Sequence, residues 1–134
     1  MWYSVKKSIE LAFAYSRAKK FTWDIIIRAR WDWTLQELIV QPTTSIHVPI
    51  SPGLYGHKFN WQGEEHTAHN DQFAWGPPHQ MTRYASTYDQ IPHLYNSGVD
   101  FCSELLLTAN LLDGNIPITY DNIDFEFGYE RLIR

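Results

Sequence analysis

The amino-acid sequence predicts one small α/β domain over residues 1–134, with a short, mostly parallel sheet flanked by helices. Three observations carry this expectation. The N-terminal segment has helical periodicity, a β-branched run follows it directly, and short apolar runs then alternate with further helical stretches. A chain of 134 residues fits one domain, and 44% hydrophobic with 19% charged residues is enough to bury a core.

The elements are justified in order. Trp2, Val5, Ile9, Ala12 and Phe13 recur at helical spacing, and Lys19 and Lys20 close the segment where cations suit the helix dipole. Asp24 to Arg28 holds three consecutive isoleucines, as expected of a strand buried on both faces, which favours parallel neighbours. From Gln41 to Asp71 only Ser45–Val48, ended by Pro49, reads as a strand. The remainder, carrying Gly53, Gly56, Gly63, Tyr55, Phe59 and Trp61, reads as a lid or binding loop. Phe73–Trp75 is another short strand, stopped by Gly76-Pro77-Pro78. His79–Ser86 is a helix begun by the proline pair. Asp100 or Ser103 caps a helix through Leu112, and Asp113-Gly114-Asn115 ends it. Ile116–Tyr120 and Asp124–Tyr129 read as strands.

Composition narrows the function. The net charge of -4 argues against general nucleic-acid binding, which needs a basic face. Six Trp, eight Tyr and seven Phe exceed what a small core easily absorbs, so some rings are expected to line a cleft. The single cysteine, Cys102, allows no internal disulfide and has packing neighbours. With no signal-peptide core and no span-length apolar run, a cytoplasmic protein is expected.

The informative polar unit is Arg28-Ala29-Arg30-Trp31-Asp32-Trp33, directly after the isoleucine run. Ligands gather beyond strand ends in open α/β sheets. There a carboxylate can hold a divalent cation against a diphosphate, and arginines can clamp the same phosphates. The bland alternative for Arg28, Arg30 and Asp32 is a surface ion-pair cluster. His66-x-x-His69, near Glu64, Glu65 and Asp71, is a rival zinc pattern without a cysteine partner. No Gly-rich phosphate loop is present.

A helix followed by an aromatic-Asp-apolar strand and Arg-x-Arg-x-Asp resembles the central motif of GT-A-type glycosyltransferases found in bacterial polysaccharide and viral gene sets. Asn70-Asp71-Gln72-Phe73-Ala74-Trp75-Gly76 resembles that group's acidic turn and acceptor-side strand, and Ser103-Glu104-Leu105-Leu106 its later acidic helix start. The resemblance implies a nucleotide-sugar transferase fold in truncated form, with transfer of a sugar from a nucleotide-sugar donor to a saccharide or other hydroxyl acceptor. It further implies Asp32 as ligand of Mn²⁺ or Mg²⁺, Arg28 and Arg30 on phosphate, Asp71 at the sugar or acceptor, and Glu104 as a base or hydroxyl ligand. The plain alternatives are a turn residue for Asp71 and a first-turn helix acid for Glu104.

Two departures accompany the likeness. Arg30 stands where the usual motif has its first acid. The group's nucleotide-binding βαβ portion would precede the first helix, so the chain is expected to be a fragment, a trimmed standalone descendant, or one half of a site that a partner chain or second copy completes. The contrasting expectation is a non-catalytic descendant that binds glycan or serves as part of a larger assembly, viral included.

Overall fold

The isoleucine run and the segment before it set the first packing unit. In the computed structural model, which describes residues 1–30, 34–35, 38–49, 57–122 and 125–126, α1 spans Trp2–Lys19. Trp2, Val5 and Ile9 are buried at helical spacing, and Lys20 closes the helix in the left-handed region at φ 58°. The Trp23 indole turns back to donate to the Ala12 carbonyl at 3.0 Å, which fixes the approach to β1, Ile26–Ala29.

Further strands are β2 (Thr34–Leu35), β3 (Ile46–Pro49), β4 (Lys58–Trp61), β5 (Glu64–Thr67) and β6 (Phe73–Gly76). Three helices follow: α2 (Pro78–Ala85), α3 (Thr87–Asn96) and α4 (Ser103–Asp113). The strands β7 (Ile118–Asp121) and β8 (Phe125–Glu126) complete the order. The main sheet runs β1-β6-β3-β7, while β2 pairs with β8 and β4 with β5.

The α/β class with flanking helices holds, but the sheet is mostly antiparallel. β6 is antiparallel to both β1 and β3, and only β3 and β7 run parallel. A parallel neighbour needs a long crossover. The passage through α2, α3 and α4 supplies one, and it delivers β7 beside β3. β1 is also not buried on both faces: Ile26 is buried while Ile27 is 48% exposed. It is an edge strand whose apolar run serves one face.

That face carries the principal core. Ile26, Ala74, Ile46 and Val48 pack against Trp2, Val5 and Ile9 of α1, Met81 and Tyr84 of α2, and Leu107 and Leu111 of α4. A second cluster joins Trp61 of the hairpin and Leu94 of α3 to Leu105, Leu106 and Ala109 of α4. Helix α4 is therefore buried continuously from Leu105 to Leu111. Its N-cap is Cys102, with no side-chain cap bond, so neither Asp100 nor Ser103 caps it as expected.

Part of the expected loop is regular. β4 and β5 form a hairpin turned by Gln62 and Gly63, both with positive φ, the backbone that a two-residue hairpin turn demands. Gly76 is needed for a different reason. A Cβ there would lie 3.0 Å from the Ser45 carbonyl, so β6 could not approach β3 as closely. The expected strand at Asp124–Tyr129 falls largely outside the described residues, which include only β8.

Candidate functional site

The N-terminal end of β6 lies beside the C-terminal end of β1, because Ala29 pairs with Phe73 and Arg28 with Ala74. This register brings the Asn70-Asp71-Gln72 turn next to the end of the arginine strand. The Arg28 guanidinium donates through Nη1 to the Gln72 carbonyl. The turn is braced locally by the Asn70 side chain, which accepts from the Gln72 N–H at 2.7 Å. It is tied to α2 by the Tyr84 hydroxyl, which donates to the Asp71 carbonyl at 3.2 Å.

The start of α4 closes the cluster. The Ser103 hydroxyl donates to Asp71 Oδ2, and Ser103 Oγ lies 3.3 Å from Glu104 Oε2. The Cys102 thiol donates to the same Glu104 oxygen at 3.1 Å. Arg28, Asp71 and Glu104, remote in sequence, thus meet across a strand end, a turn and a helix start.

Electrostatics differ from residue to residue. Asp71 is only 4% exposed. Burial raises its carboxyl above the usual range and Glu104 adds to that, while the Ser103 hydrogen bond and Arg28 oppose it. The Tyr84 phenol is fully buried and pushed up by that burial. Burial, then the hydrogen bond to Glu104, raise the Cys102 thiol, which disfavours the thiolate and fits a packing residue rather than a nucleophile.

A groove of about 620 Å³ opens between the first half of α1 and β1. Ser4, Ser8, Arg28 and Arg30 supply its polar groups, with Val5, Ile9 and Ile27 among its apolar ones. Arg30 therefore shares a concavity with Arg28. Asp32, the expected metal ligand, lies outside the described residues.

The zinc pattern separates into different environments. His66 sits on β5, whereas His69 is buried and its Nδ1 lies 3.1 Å from the Tyr120 hydroxyl. Burial, and secondarily His66, lower the His69 imidazole to about 4, so it is neutral at pH 7. Glu65 pairs with Lys58 at 2.7 Å. Among the described residues, no group of three or more His, Cys, Asp or Glu side chains is arranged to hold a metal ion.

One polar network was not foreseen. His47 Nδ1 meets Asp121 Oδ1 at 2.8 Å and Oδ2 at 3.0 Å, and its Nε2 meets Thr43 Oγ1 at 2.8 Å. The ring stacks on Trp75 with centroids 3.9 Å apart, and the Trp75 indole donates to Asp121 Oδ2 at 3.1 Å. These contacts tie β3, β6 and β7 together on the face away from the principal core. The signal was the alternation Ser45-x-His47 and Thr119-x-Asp121, which becomes informative only once β3 and β7 are known to be neighbours.

No protein family, curated protein or solved structure matches this chain. Among the described residues, no helix is long and apolar enough to cross a membrane.

Proposed function

We propose that the chain is a glycosyltransferase-like domain that holds a nucleotide sugar at the β1–α1 groove and presents it to a saccharide or other hydroxyl acceptor. The reading is carried by Arg28, which lines that groove and also reaches the turn that holds Asp71, itself linked through Ser103 to Glu104. Arg28 spends one N–H group on Gln72, and a guanidinium has five, so donors remain for a diphosphate. Arg30 lines the same groove. A divalent cation, Mn²⁺ or Mg²⁺, would offset charge on the leaving diphosphate, with Asp32 as its protein ligand by the motif resemblance. Asp71 and Glu104, linked through Ser103, supply carboxylates to orient an acceptor hydroxyl and take its proton. A partner chain or second copy would complete the grip on the base.

One observation favours a non-catalytic, glycan-binding or structural descendant instead. Asp71 is almost wholly buried and already bonded to Ser103, an arrangement that also serves simply to lock the turn to α4.

Calorimetry with uridine diphosphate and Mn²⁺ tests the donor site, and donor hydrolysis and transfer assays test the chemistry. Binding should be abolished by Asp32→Asn and weakened about tenfold or more by Arg28→Ala, which removes a charged hydrogen-bonding group. Equal binding by Asp32→Asn removes Asp32 from the metal role. Glycan binding without turnover under any pairing favours the non-catalytic reading.

A further inference from the structure

Beside the Asp71–Ser103–Glu104 cluster is a second cleft of about 300 Å³, walled by Trp2 and Tyr3 of α1, Tyr88 and Ile91 of α3, and Phe101 and Ser103 at the approach to α4. Its rings are open to solvent: Phe101 is 74% exposed, Tyr3 53% and Tyr88 41%. Grouped exposed aromatics mark a surface with a partner, since each ring forgoes burial that a core position would give it.

The rings are also held in place. Tyr3 and Tyr88 meet edge to face with centroids 5.4 Å apart. Lys7 sits 5.7 Å from the Tyr3 ring centre and Lys6 5.8 Å from that of Tyr88. Lys6 is in turn fixed by Asp89 at 2.7 Å. The cleft is thus shaped before any ligand arrives, which lowers the ordering cost of binding.

Its chemistry selects the occupant. Among the described residues the side chains that line the cleft are uncharged, and the Met1 amino terminus supplies a single cation at its border. The lining instead combines flat rings with the hydroxyls of Tyr3, Tyr88 and Ser103. The Trp2 indole N–H stays buried behind that lining, with no acceptor among the described residues. Aromatic faces with neutral donors at their margins match a sugar ring, which is apolar on its C–H face and polar at its edge.

We propose that this cleft is a neutral-saccharide subsite: a pyranose stacks on the Tyr3–Tyr88–Phe101 surface with a hydroxyl directed to Ser103. Its assignment as the acceptor subsite rests on the transferase reading above. Ser103 gives the connection, because it lines the cleft and donates to Asp71. A hydroxyl beside Ser103 would stand next to both carboxylates of the cluster.

The test is NMR titration of the folded chain with methyl glycosides of glucose, galactose, mannose and N-acetylglucosamine, observing the aromatic side chains. A separate titration uses uridine diphosphate with Mn²⁺. At least one glycoside should shift the Tyr3, Tyr88 and Phe101 rings together. Phe101→Ala should weaken that binding about tenfold, while Phe101→Trp retains it. Phe101 is exposed enough that neither change removes core packing. Nucleotide affinity should be the same in both variants. Absence of glycoside shifts, or glycoside binding unaltered by Phe101→Ala, overturns the subsite even if nucleotide binds. Glycoside binding at the rings without any nucleotide binding upholds the saccharide site but removes its acceptor role. Concentration-dependent shifts of the same rings without glycoside would show a second copy in the cleft and overturn the proposal.

Discussion

Acidification from pH 7 to pH 4 should weaken the fold by about 3 kcal/mol through the single imidazole of His69. The ring is buried beside Tyr120, and its folded-state pKa is lowered from 6.5 to about 4, chiefly by burial. Above 6.5 the ring is neutral in both states and contributes no pH dependence. As pH falls below 6.5 the unfolded chain takes up a proton that the folded chain refuses, so stability falls until the folded ring protonates near 4. The gap from 6.5 to about 4, at about 1.36 kcal/mol per pH unit, is roughly 3.4 kcal/mol, of which about 3 kcal/mol has developed by pH 4. His69→Asn removes the titration and keeps a polar atom near the Nδ1 position that meets Tyr120 at 3.1 Å. Urea unfolding of both proteins at pH 7 and pH 4 measures the difference, since other titrating groups are common to both. The variant should lose about 3 kcal/mol less than the parent. Equal losses would refute the assignment and show that the buried ring accepts a proton without penalty.

Three other outcomes are expected. Asp71→Asn should raise Tm at pH 7, because burial lifts the Asp71 carboxyl above its unfolded value and ionisation therefore favours the unfolded chain. The gain should vanish below the unfolded carboxyl range, where both states are protonated; no gain at pH 7 would contradict the burial argument. Asn110→Ala should destabilise by about 2–3 kcal/mol in urea, leaving the Arg83 carbonyl and Thr87 hydroxyl without the amide that reaches them at 2.8 and 2.9 Å. Asp121→Ala should cost about 2–4 kcal/mol by stranding the indole of Trp75 and Nδ1 of His47, whereas Asp121→Asn should cost less by retaining an acceptor.

Periodicity made α1 and α4 legible, the proline pair marked the start of α2, and the short apolar runs revealed β1, β3, β6 and β7. Helix α3 escaped notice because Pro92 interrupts Thr87–Asn96 and its buried residues are few. The β4–β5 hairpin was hidden among glycines and histidines, with alternation too short to register. Strand direction was misread for a more basic reason. At β1 the continuous apolar run does not report even how the strand is covered, since Ile27 is exposed on an edge strand, and direction depends on where the intervening chain returns. At the site, Arg28, Asp71 and Glu104 stood out by motif; the β1–β6 register accounts for the meeting of Arg28 with the Asp71 turn, and the packing of the α4 start on that turn brings in Glu104. Ser103 stood out as a candidate cap and as the first residue of the helix-start motif but not as a link, since a hydroxyl gains its linking role from two carboxylates brought near it by folding. Asp32 lies outside the described residues.

The uninterrupted burial of Leu105–Leu111 has a dynamic consequence. Because α4 contributes to both hydrophobic clusters, its amides can exchange with solvent only when one or both cores open. Ser103 and Glu104 sit at the first turn of that slow-exchanging element, so their positions should persist through fluctuations that loosen the surface. Tyr3 and Tyr88, on α1 and α3, are outside that double lock. The polar edge thus belongs to the last element to open, and the aromatic wall, preset by its ring and lysine contacts, keeps its shape for as long as α1 and α3 each stay packed on their own cluster.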